Sequence, residues 1–65
     1  MKYKIADRQI SRRYFAGGIV FTNKEDVRLQ LISYHEVDCT DIEKLRKMSL
    51  SEILEYGDWT LERIN

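Results

Sequence analysis

A chain of 65 residues is one domain, 1–65, and one this short buries only about 60% of the surface its unfolded form exposes. With 43% apolar and 34% charged residues it is too apolar to stay disordered, yet its core is too small to enclose a large catalytic pocket. The net charge is zero, and the single cysteine, Cys39, excludes an intramolecular disulfide and leaves too few ligands for a zinc site.

Residues 2–6 (KYKIA) alternate polar and apolar, which predicts a short strand with Tyr3 and Ile5 on one face. Residues 12–21 (RRYFAGGIVF) hold two aromatic or β-branched runs around Ala16-Gly17-Gly18. Gly-Gly supplies the positive φ of a tight turn, so strands at 12–15 and 19–21 are expected to form a hairpin. Thr22-Asn23-Lys24-Glu25 is a capping-box pattern, with Asn23 and Asp26 as the rival cap, and a helix over about 23–36 follows. Val27, Leu31, Tyr34 and Asp38 fall at helical spacing, while Leu29 and Ile32 widen the apolar surface.

Thr40-Asp41-Ile42-Glu43 repeats the capping signal, and Ile42, Leu45 and Met48 recur at i, i+3 and i+6, which predicts a short helix near 41–47. Ser49-Leu50-Ser51-Glu52 is a third capping box, opening a helix over 50–56 with Leu50, Ile53 and Leu54 inward. Gly57 stands where a left-handed C-terminal residue is wanted. Residues 59–64 alternate enough to close the chain as a strand, with Trp59 and Leu61 on one face. The fold class expected is α+β. A small antiparallel β-sheet of N-terminal strand, Gly-Gly hairpin and C-terminal strand is covered on one face by one main helix and two short helices. The closing strand could pair with the first strand or with the hairpin.

The stretch RYFAGGIVFTNKEDVRLQLISYHEVD, with LSEILEYGDWTLERI after it, resembles a group of short uncharacterised proteins encoded by prophages, plasmids and conjugative elements of low-GC Gram-positive bacteria. The likeness rests on Phe15, Gly17-Gly18, Phe21, Thr22 to Glu25, Tyr34-His35 and Leu54-Glu55-Tyr56-Gly57-Asp58-Trp59. It brings no functional residue with it. It implies a mobile element's accessory protein, located in the cytoplasm of a bacterial host. Small proteins of that setting often bind and block a host protein, anti-CRISPR and other anti-defence inhibitors among them.

No catalytic constellation stands out. His35-Glu36-Val37-Asp38-Cys39 begins like a zinc-protease motif, but Cys39 stands where the second histidine belongs. A Cys39–His35 nucleophile pair is opposed by Glu36, Asp38, Asp41 and Glu43, whose charge would raise a thiol's pKa. The plainer reading is a helix C-terminus, with His35 facing the dipole and Cys39 as a small buried group. Neither an enzyme activity nor a cofactor is expected. No apolar run reaches signal-peptide or membrane-span length, so no membrane is expected either.

Charge is unevenly placed. Residues 1–13 carry Lys2, Lys4, Arg8, Arg12 and Arg13 against Asp7 alone, and residues 14–65 carry the compensating acidic excess. Those five cations, beside Tyr14 and Phe15, are the candidate interaction residues. They could meet phosphates and stack bases, although the neutral total argues against a dedicated nucleic-acid binder. The expected function is therefore a non-enzymatic accessory protein that binds and modulates or inhibits a host protein. Nucleic-acid binding through the basic N-terminal strand surface ranks second. Open sheet edges and a small core also favour a homodimer.

Overall fold

The computed structural model describes residues 1–64. Strand β1 (Tyr3–Asp7) is followed by a 3-10 turn (Phe15–Gly17) and by helices α1 (Lys24–Glu36), α2 (Ile42–Arg46) and α3 (Leu50–Tyr56). Strand β2 (Trp59–Arg63) closes the chain. β1 and β2 form a two-stranded antiparallel sheet with Ile5 opposite Leu61 at its centre, and the helices pack on it. The α+β class holds, and the terminal strand chooses the first strand as its partner.

The sheet has one buried face because its side chains alternate. Tyr3, Ile5 and Trp59 point inward and are buried, with Leu61 half-buried beside them. Lys4, Ala6, Thr60 and Glu62 take the other face. Phe15, Phe21, Val27, Leu31, Ile32, Leu45 and Ile53 complete the core, drawn from every helix and from the 3-10 turn. No helix is long and apolar enough to cross a membrane among the described residues.

The helix starts follow their polar side chains. Asn23, not Thr22, caps α1: its Oδ1 accepts from the backbone N–H of Glu25 at 2.7 Å and of Asp26 at 3.4 Å. Asp41 caps α2 by accepting from Lys44 N, and Ser49 with Glu52 closes a reciprocal capping box on α3. These hydrogen bonds from Ser49 hold the Glu52 carboxyl below the usual carboxylate range. Arg28 links the helices: it pairs with Glu25 and donates to the carbonyls of Arg46 at 3.2 Å and Met48 at 3.0 Å.

The Gly-Gly segment corrects the sequence expectation. The strands expected at 12–15 and 19–21 do not pair with each other. Instead Tyr14 bridges Ala6 and Phe21 bridges Tyr3, both antiparallel, along the free edge of β1. An unbroken ladder starting from the Tyr14–Ala6 bridge would set Gly17 opposite Tyr3, so four extra residues are looped out. The physical reason lies in the backbone. A tight two-residue hairpin needs positive φ at two positions. Here Ala16, Gly17 and Gly18 lie at φ 50°, 72° and 92° in succession, which coils the chain into a bulge instead of reversing it. Phe15 enters the core from that bulge.

Gly57 differs from expectation too. Its φ is −95°, not left-handed, and the left-handed residue is Asp58 at φ 59°. Gly57 is required for space. A Cβ there would stand 2.5 Å from His35 Nε2 and closer still to the indole nitrogen of Trp59.

Candidate functional site

The basic residues do not gather into one free patch. Arg8 leaves β1 toward the α3–β2 corner, where it pairs with Glu55 at 3.0 Å and with Asp58 at 3.6 Å. Its Nε donates to Thr60 Oγ1 at 3.1 Å. The Glu55 carboxylate, foremost, raises the guanidinium above its ordinary value. Arg13 reaches Asp7 at 3.9 Å. Lys4 lies over the Tyr14 ring at 5.2 Å, while the Tyr14 hydroxyl donates to Glu62 at 3.3 Å. Lys2 and Arg12 are exposed. Three of the five cations that the sequence places in one block are thus set against Asp7, Glu55 and Asp58 or held over a ring, and Lys2 and Arg12 are not among them. Local neutralisation replaces the charge asymmetry that the sequence displays.

A different surface gathers side chains with binding chemistry. The last turn of α1 carries Tyr34 and His35, and the last turn of α3 carries Tyr56. Tyr34 stands edge-on to His35 with centroids 5.2 Å apart, and His35 stands edge-on to Tyr56 at 5.0 Å. Beneath them, Tyr34 meets Phe15 at 5.2 Å and Trp59 at 6.2 Å, and Phe15 meets Trp59 at 5.7 Å, all in edge-to-face geometry. Phe15 and Trp59 are buried, whereas Tyr34 and Tyr56 are each 52% exposed. Two half-exposed phenols are therefore braced on a buried aromatic base.

Beside Tyr56 opens a recess of about 330 Å³, lined by Asp38, Cys39, Asp41, Lys44 and Met48 among others. Cys39 is half-buried and its Sγ donates to the Asp41 carbonyl at 3.3 Å, so it is not the enclosed apolar group expected from sequence. The Tyr56 phenol is held above its ordinary value, first by its hydrogen bond with Cys39 and then by the negative potential of Cys39. His35 is held below its ordinary value by burial, against the opposing pull of Asp38. It lies in the last turn of α1, where the sequence places it, but burial disfavours its charged form. His35 Nε2 and Trp59 Nε1 are both buried without a hydrogen-bond partner among the described residues. Among those residues no group of three or more His, Cys, Asp or Glu side chains is placed to hold a metal ion.

Sequence alone sets Tyr34 on the apolar stripe of α1 and counts Tyr56 among the core aromatics, whereas both are half-exposed. The signal for both was present but faint. Tyr34 is adjacent to a histidine at the helix end, and Tyr56 sits directly before the glycine that ends α3.

No family model matches the chain, and neither a curated protein nor a solved structure matches it.

Proposed function

We propose that this chain is a small non-enzymatic binding module that modulates or inhibits another protein by surface contact, with Tyr34, His35 and Tyr56 at the centre of the contact. One observation carries the reading: two tyrosines, each 52% exposed, stand on helix ends over a buried Phe15–Trp59 base. Tyrosines supply large amphipathic contact area with few torsions to freeze, and they are enriched at interface hot spots. Val37, 84% exposed one turn onward, extends the apolar area. The resemblance to mobile-element accessory proteins makes a host protein the expected partner, with blockade of a host defence as the analogy.

The test compares wild-type chain with a Tyr34→Ala plus Tyr56→Ala variant as bait in lysate of a Gram-positive host. A specific protein retained by the wild type should be lost from the variant, while circular dichroism and the unfolding midpoint stay close to wild type. Equal retention by both baits overturns this surface, and retention of nothing by folded wild type overturns the binding reading. Nucleic-acid binding is the weaker reading because Asp7, Glu55 and Asp58 lie against Arg8 and Arg13. A mobility shift at low salt that vanishes in Arg12→Ala plus Arg13→Ala would reverse that ranking.

A further inference from the structure

Both sides of β1 carry backbone hydrogen bonds, and on the outer side of β2 none is made at Leu61 among the described residues. Tyr3 exchanges both backbone hydrogen bonds with Phe21 at 2.8 Å, and Asp7 N donates to the Arg13 carbonyl at 2.9 Å. Odd-numbered residues of β1 therefore face the 13–21 segment. On the other side Arg8 N donates to the Asp58 carbonyl at 3.1 Å, and Ile64 N donates to the Lys2 carbonyl at 2.9 Å. In an antiparallel ladder the two backbone groups of one residue point the same way and alternate along the strand. Even-numbered residues of β2 thus face β1, and the N–H and C=O of Leu61, at the strand's centre, face outward. Among the described residues no backbone group meets Leu61 on that side.

We propose that the outer edge of β2 pairs with the β2 edge of a second copy, antiparallel and two-fold symmetric, with Leu61 opposite Leu61. Side-chain charge selects this register. A two-fold axis at Thr60 would set Asp58 against Glu62 of the second copy. An axis at Glu62 would set two glutamates face to face, and one at Arg63 two arginines. Like charges directly opposite one another are destabilising. An axis at Trp59 escapes such a clash but pairs only that residue within the strand, whereas the axis at Leu61 pairs all five strand residues and avoids every like-charge contact. It places Thr60 opposite Glu62 of the second copy on the exposed face, and Trp59 opposite Arg63 on the inner face. Leu61 then exchanges both of its outward hydrogen bonds with its counterpart. Pairing joins the two sheets into one of four continuous strands and satisfies the outward backbone groups of Leu61.

Light scattering over a concentration series reads the assembly, and hydrogen exchange reads the strand. The mass should rise from one chain toward two with concentration. Over the same range the Leu61 amide should become protected, while Thr60, already facing β1, stays protected throughout. Two exposed-face variants test the register without touching the core. Thr60→Glu opposes Glu62 of the second copy and should weaken association severalfold; Thr60→Lys should strengthen it. Chain made with an N-methylated Leu61 keeps every bond to β1 and should remain a folded monomer. A mass of one chain at every concentration, or Leu61 exchange that ignores concentration, overturns the pairing. Association unaffected by both Thr60 variants overturns the register.

Discussion

Residues 24–56 and residues 8–22 are ordered by different means. In the first, each helix starts on a side chain that bonds the backbone two or three residues ahead: Asn23, Asp41 and Ser49. These signals are local and survive in the sequence as patterns. The second has one 3-10 turn and two isolated bridges, and it holds four of the five positive-φ residues among those described, Arg12, Ala16, Gly17 and Gly18. Left-handed backbone costs a non-glycine residue roughly 1–2 kcal/mol, so Arg12 and Ala16 oppose their own conformation. What holds this segment is tertiary: Phe15 and Phe21 in the core, and the edge of β1. Local order and imposed order therefore sit side by side in one small chain.

The most severe way to break that contrast is Phe15→Ala. The ring is buried against Tyr34 and Trp59, and its removal leaves a cavity under the aromatic ladder. A loss of about 3 kcal/mol is expected, a large part of the ~3–10 kcal/mol that a chain of this size commands. Urea unfolding measures it. A loss under about 1 kcal/mol would mean that residues 8–22 are a loose tether, not a part of the core.

The two regions also use glycine for opposite reasons, and a pair of substitutions separates them. Gly57→Ala drives a methyl into the buried indole of Trp59 and the His35 ring, and should cost about 2–3 kcal/mol. Gly17→Ala meets nothing within 4 Å and pays only for its φ of 72°, about 1 kcal/mol. Chemical denaturation of the two variants side by side checks the order. Equal costs would mean that the corner at Gly57 opens easily, and that Trp59 is held less firmly than its burial implies.

This division explains what could be read from the sequence. The three helix starts and the 50–56 helix are legible because a capping side chain and the backbone N–H that donates to it lie within one turn of each other. The closing strand was legible from alternation alone. The path of residues 12–21 was not, since a Gly-Gly pair looks the same whether two flanking strands pair together or both lie along a third. Ala16 in a left-handed conformation has no sequence signature at all. The role of Gly57 was misjudged for a related reason: a close approach by Trp59 and His35 is a fact of packing, invisible in the residue's position after a helix. The candidate surface was hardest to see. Charge asymmetry points to residues 1–13, but the fold sets Glu55, Asp58 and Asp7 against Arg8 and Arg13, whereas the two exposed tyrosines look like core.

The smallest effect expected is a pH slope at the junction of the two regions. His35 Nε2 and Trp59 Nε1 are buried side by side at Gly57, and an indole N–H can only donate. The two nitrogens make no hydrogen bond among the described residues, and protonating His35 would add a second donor and a poorly solvated charge beside the indole. Burial accordingly holds the His35 pKa below its ordinary value of 6.5, with Asp38 opposing. The unfolded chain then takes up the proton more readily than the folded one. Stability from this group is full above the ordinary value and is lost as pH falls below it toward the folded value. Thermal unfolding between about pH 7.5 and 5.5 should show that decline in the wild type. His35→Gln, which does not titrate, should flatten it. The Glu52 carboxyl adds its own loss only at more acid pH, because the Ser49 hydrogen bonds lower a value that already lies in the carboxylate range. A wild-type slope that persists unchanged in His35→Gln would place the proton elsewhere and leave the His35–Trp59 contact as packing alone.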